Sequence, residues 1–141
     1  LVGESSAARV KEKIGSACPP EKGDGETMEI KGRDLMNGVP KELTISKRQV
    51  SESLSEPVNA IIETVKVALE HTEPELAADI VDKGIVLTGG GALLSDLDFV
   101  LRHATGLPVS LADDPLSCVV LGTGRALEEM KRLKEVLSSM Y

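Results

Sequence analysis

Aromatic side chains are nearly absent from this 141-residue chain, which has one Phe (Phe99), one Tyr (Tyr141) and no Trp. A core built from it must be aliphatic, and no platform exists on which bases could stack. Basic clusters are missing as well. The net charge is −7 and no stretch gathers Lys and Arg, so the chain has neither the charge nor the stacking groups of a nucleic-acid binder. The two cysteines, Cys18 and Cys118, lie far apart with no His or Cys at ligand spacing, which argues against a zinc site or disulfide framework and for reduced thiols. The two histidines, His71 and His103, fall near polar helix ends and read as surface residues rather than ligands. No apolar run approaches membrane-spanning length, and no signal peptide is visible. Both common nucleotide fingerprints are missing too. There is no Gly-x-Gly-x-x-Gly and no Lys-Ser/Thr phosphate loop.

What is present is ordinary for a globular protein, with 41% apolar and 28% charged residues, enough for one domain or two small subdomains. The most informative stretch is residues 84–97. Ile85, Val86, Leu87 and Thr88 form a short β-branched run, the pattern of a strand buried on both faces of a parallel sheet. Gly89, Gly90 and Gly91 follow, and then Leu93, Leu94, Leu97 and Leu101 recur at helical spacing. Strand, glycine turn and helix bring backbone close to a ligand, with helix N–H groups aimed at it. That chemistry suits a phosphate or a flat base. A tight structural turn would use the same residues.

In chain order, residues 4–17 predict a helix with Ala7, Val10, Ile14 and Ala17 as its apolar stripe and Ser5 or Ser6 as its cap. Ala8, Lys11 and Glu12 share the neighbouring face. Prolines and glycines make residues 18–25 a loop. Residues 26–33 and 41–46 predict two antiparallel strands around an Asn37-Gly38 turn. Ser46 caps a long helix, with Val50, Leu54, Val58, Ile61, Ile62 and Val65 on one stripe, which Pro57 should kink or divide. Thr72 and Glu75 read as a capping box with Pro74 in the first turn. After the helix of residues 93–104, Gly106 supplies a C-cap and residues 108–112 a strand parallel to the first. Asp113-Asp114-Pro115 predicts a helix start, Gly122-Thr-Gly124 an interruption, and Ala126, Leu127, Met130, Leu133 and Leu137 an amphipathic tail helix. The chain opens on Leu1-Val-Gly-Glu without an initiator Met, which reads as a cut inside a longer protein.

The runs Gly-Ile-Val-Leu-Thr-Gly-Gly-Gly-Ala-Leu-Leu (84–94), Thr105-Gly-Leu-Pro-Val109, Asp114-Pro-Leu-Ser-Cys-Val119 and Gly122-Thr-Gly-Arg-Ala-Leu127 resemble the C-terminal part of the bacterial actin-like, rod-shape-determining MreB/Mbl family. Ala8-Arg-Val-Lys-Glu-Lys-Ile-Gly-Ser-Ala17, Glu29-Ile-Lys-Gly-Arg33, Gly38-Val-Pro40 and Glu56-Pro57 resemble it in the same order, so the likeness covers nearly the whole chain. It implies an α/β, actin-like ATPase fold (ribonuclease H-like), second lobe only. Residues 1 to about 48 would be a small α+β nucleotide-side subdomain. Residues 49–141 would be the larger α/β subdomain without its first strands.

The resemblance further implies binding of ATP and magnesium, self-assembly into filaments that direct rod shape and cell-wall synthesis, and contact with cell-shape membrane proteins. It places the protein in the cytoplasm at the inner face of the cell membrane, with membrane association through parts outside this chain. Gly89, Gly90 and Gly91 match the adenosine-binding turn, and Lys11 matches the basic residue bordering the adenosine. Where the family has a ribose-binding Glu this chain has Ala8, so ribose recognition is expected to be weaker unless Glu12, one turn on, substitutes. The catalytic and magnesium-orienting groups of the family lie outside these residues, and residues 1–141 alone are expected not to hydrolyse ATP. Two uncovered strands also lead us to expect self-association. The alternatives are an actin-fold small-molecule kinase, a chaperone-type ATPase, and a stand-alone interaction module with a purely structural glycine turn.

Overall fold

A computed structural model describes residues 1–130; the expected apolar positions Leu133 and Leu137 lie outside them. Helix α1 spans Glu4–Ile14 and buries Val10 and Ile14. Its N-cap is Gly3, with no side-chain cap. Ser5 and Ser6 already sit inside the helix, and the Gly3 carbonyl accepts the Ser6 and Ala7 amides. The helix also stops three residues sooner than its apolar spacing suggests. Gly15 turns extended, and Ala17 is buried outside the helix, in a different cluster.

Strands β1 (Thr27–Arg33) and β2 (Pro40–Ser46) pair antiparallel, setting Met28 opposite Ile45 and Ile30 opposite Leu43. Along β1 the half-buried residues alternate with exposed ones, as the period-two pattern requires. The connecting turn holds Gly38 at φ 73°, with Val39 N–H on the Asn37 side chain. Helix α2 (Lys47–Ser53) begins at the expected Ser46, and Gln49 completes a reciprocal capping box.

Helix α3 (Ser55–Glu70) follows after a one-residue break at Leu54. Pro57 divides the helix as expected, but the break falls three residues ahead of it. The ring excludes an amide for the Ser53 carbonyl and crowds that turn. Helix α4 (Pro74–Lys83) has Pro74 in its first turn. The expected capping box is not formed, because the Thr72 hydroxyl donates back to the Ala68 carbonyl of α3 and Glu73 is an N-cap without a side-chain bond.

Strands β3 (Ile85–Leu87) and β4 (Val109–Leu111) pair parallel, Ile85 beside Val109, with helix α5 (Leu97–Thr105) between them in sequence. Gly106 ends α5 in the left-handed conformation, as read from sequence. The core gathers Ala17, Val58, Leu97, Leu101 and Val109, flanked by Ile62, Val65, Ile85 and Leu87. Burial of β3 on both faces is not found. Val86 is 58% exposed: the two-stranded sheet is covered by α5, itself packed on α3, and Val86 lies outside that cover. Helix α6 (Cys118–Glu128) starts later than Pro115 and runs through Gly122 and Gly124 without interruption. Two glycines weaken a helix by about 1 kcal/mol each relative to Ala but remove no hydrogen-bond donor, so the ladder survives.

Candidate functional site

The glycine turn follows β3 directly. Gly89 has φ 82° and ψ 172°, backbone that only glycine adopts readily, and its N–H is held by the buried Pro115 carbonyl at 2.7 Å. Gly90–Leu93 then form a single 3₁₀ turn, closed by Ala92 N–H to Gly89 O and Leu94 N–H to Gly91 O, both 3.2 Å. Ala92 is buried beneath the turn. The helix expected to start at Leu93 starts at Leu97 instead. Leu94 is extended and Asp96 left-handed, so the surface offered to a ligand is glycine backbone and not a helix N-terminus. Leu97 and Leu101 belong to α5 and are buried, whereas Leu93 is exposed.

A Cβ placed on each glycine separates two kinds of position. At Gly84 it would fall 2.4 Å from the Pro108 carbonyl oxygen, so the fold itself demands glycine there. At Gly91 it would meet nothing within 4 Å, and at Gly90 only the tip of Leu116 at 3.5 Å. Packing within the chain therefore does not account for glycine at 90 and 91. Open space over bare backbone fits a flat ligand lying against the turn.

Ala8, Lys11 and Glu12 are exposed on α1. Lys11 lines a mostly apolar groove of about 300 Å³ between α1, the hairpin and α2, with Val10, Ile30, Ile45 and Val50 among its walls. Among the described residues neither the Lys11 ammonium nor the Glu12 carboxylate is engaged in a side-chain hydrogen bond or ion pair, and neither bonds to the glycine turn. Cys18 and Cys118 are free thiols, and burial, then the Asp96 carboxylate, pushes the Cys18 thiol up from its ordinary value. His71 and His103 are exposed, His71 on the Val67 carbonyl and His103 stacked on Phe99. No group of three or more His, Cys, Asp or Glu among the described residues could hold a metal ion.

The segment after α1 and the segment after the glycine turn meet through residues that sequence reading missed. Ser16 pairs with Ser95 in a parallel bridge, Ala17 N–H donates to the Ser95 carbonyl at 2.8 Å, and Ser16 Oγ lies 2.6 Å from Asp96 Oδ2. Asp96, next to a helix start, carries the signal of an ordinary N-cap, and nothing in the sequence tells which distant hydroxyl it takes instead.

A parallel strand pair with an intervening helix and a glycine turn, joined to a helix-and-hairpin unit, is the architecture of an actin-like α/β protein. The MreB/Mbl protein family model matches residues 1–135, and the chain belongs to that family. It is 49% identical over 128 residues to the cell shape-determining protein MreB of Escherichia coli K12, covering 91% of this chain and 36% of the relative. The cell shape-determining protein Mbl of Bacillus subtilis is 41% identical over 133 residues, 94% of this chain and 39% of that one. Crystal structures of Spiroplasma citri MreB5, one bound to ADP and one to AMPPNP, superpose with a TM-score of 0.84 at 36% identity, over 96% of this chain and 40% of theirs. The chain thus spans somewhat over a third of the length of these relatives. The matches do not favour a small-molecule kinase or a chaperone-type ATPase.

Proposed function

We propose that this chain is the adenosine-side part of an ATP-binding, actin-like cytoskeletal protein that polymerises into filaments and directs rod cell shape. One observation carries the reading: a family match across nearly the whole chain coincides with a glycine turn whose position 91 faces open space and whose position 90 meets only the tip of Leu116. The nucleotide-bound state of the Spiroplasma citri relative supports it. In this reading residues 1 to about 48 form the nucleotide-side subdomain, with Lys11 facing the adenosine, and Gly89, Gly90 and Gly91 form the opposite wall. ATP, with magnesium held by residues outside this chain, would switch assembly at the inner face of the cell membrane beside cell-shape membrane proteins. Among the described residues no helix is long and apolar enough to cross a membrane.

Titrating the full-length protein with AMPPNP tests this. Gly91→Ala adds a Cβ that meets nothing in the chain within 4 Å, so it should weaken binding about tenfold, roughly 1.4 kcal/mol, while the melting temperature stays near wild type. An unchanged dissociation constant would remove the turn from the site. The second substitution is Ala8→Glu. Its position is exposed on α1, so a carboxylate fits there without repacking, and accepting the ribose hydroxyls should tighten binding by about threefold to tenfold. No gain in affinity would mean that Glu12 or a water already serves the ribose.

A further inference from the structure

Segments eighty residues apart meet at one buried hydroxyl. Ser16 is fully buried, and its Oγ lies 2.6 Å from Asp96 Oδ2 and 2.8 Å from the Cys18 carbonyl. The Lys47 ammonium approaches the same Asp96 oxygen at 3.9 Å. Asp96 is the N-cap of α5 but makes no side-chain bond to that helix, although an N-cap carboxylate ordinarily serves its own helix. It is also the one non-glycine residue with positive φ among those described, at 63°, a left-handed backbone that Asp and Asn tolerate better than other side chains but still adopt at a cost relative to glycine. Both local preferences are set aside, and what the geometry achieves in exchange is the contact with Ser16.

The place of that contact matters. Ser16 lies two residues beyond the end of α1, which carries Lys11, and Asp96 three residues beyond the 3₁₀ turn that holds Gly90 and Gly91. We propose that Ser16 and Asp96 are positioning residues for nucleotide binding, forming a clasp that fixes α1 against the glycine turn so that both walls present themselves at one separation. The proposal rests on the nucleotide reading of the glycine turn. Neither side chain touches the nucleotide; their effect is transmitted through the two backbones they join. Lys47, at the start of α2, ties the hairpin side of the molecule to the same carboxylate.

The test uses three variants of the full-length protein and two readouts. Asp96→Gly deletes the carboxylate while relieving the left-handed backbone, so the fold persists; it should weaken AMPPNP binding about tenfold, the scale of a lost charge-assisted hydrogen bond. Ser16→Ala should match it. Asp96→Asn keeps an acceptor for Ser16 and tolerates the left-handed region, and should return binding to within about threefold of wild type. A lowered melting temperature with unchanged affinity in the Gly and Ala variants would reduce the clasp to a structural tie and overturn the proposal.

The second readout is amide hydrogen exchange without nucleotide. Opening the clasp should speed exchange in both the last turn of α1 and residues 89–94, leaving α4 unchanged. Exchange confined to the substituted segment overturns the clasp whatever the binding result. Faster exchange in both segments, in a protein whose wild type binds no nucleotide, would support the clasp and sink the nucleotide reading.

Discussion

Gly84→Ala is expected to destabilise the chain by about 4 kcal/mol, a loss read from urea or thermal unfolding. Two causes add. The residue has φ 76° and ψ −167°, a region all but closed to side chains, where strain alone amounts to about 1–3 kcal/mol. The new methyl would also sit 2.4 Å from the Pro108 carbonyl oxygen and 2.9 Å from Pro108 Cβ. That carbonyl accepts the Ile85 amide at 2.8 Å, the first bond between the segments that become β3 and β4. Relieving the overlap means moving Pro108 away and losing that bond. Gly89→Ala separates the causes, because Gly89 has a comparably strained φ but open space around it; it should destabilise by the strain alone. Equal losses at 84 and 89 would mean that the Pro108 contact relaxes freely.

Leu101→Ala should destabilise by about 3–4 kcal/mol. Leu101 is 0% exposed and lies in the cluster of Ala17, Val58, Leu97 and Val109. A core without aromatics has few large side chains able to shift into the space left behind, so much of the cavity should persist. Leu101→Met, close to it in volume, should stay within about 1.5 kcal/mol of wild type. Leu93→Ala is the internal contrast: that leucine, at the same spacing in the sequence, is 52% exposed and should change stability by no more than about 0.5 kcal/mol. Equilibrium denaturation of the three variants checks the series, and a loss below about 1 kcal/mol at Leu101 would show that the cluster closes around the gap.

Elements with strong local signals were legible from sequence. The hairpin follows from alternation and Asn37-Gly38, the start of α2 from Ser46, and the end of α5 from Gly106, each fixed by interactions within a few residues. Misreadings arose where a distant partner decides. Helical spacing from Leu93 was sound as a count, but the 3₁₀ turn, the extended Leu94 and the left-handed Asp96 insert a bend between Leu93 and Leu97. The β-branched run of β3 looked doubly buried, yet burial depends on how many layers cover a sheet, which four residues do not reveal. Gly122 and Gly124 failed to interrupt α6 because propensity only weights an outcome. At the candidate site the glycine turn and Lys11 could be nominated by pattern and resemblance. The Ser16–Asp96 contact could not, since its partners share no local motif.

The break at Leu54 has a mechanical reading. Leu54 N–H bonds to the Val50 carbonyl at 3.0 Å, and its own carbonyl accepts the Val58 amide at 3.0 Å. The hydrogen-bonded ladder therefore passes through the interruption on one side, while Pro57 leaves it open on the other. A rod cut halfway through resists pulling along its axis but bends readily toward the uncut side. Since α2 packs on the hairpin and α3 contributes Val58 to the aliphatic core, Leu54 is the joint at which an element held by one becomes an element held by the other.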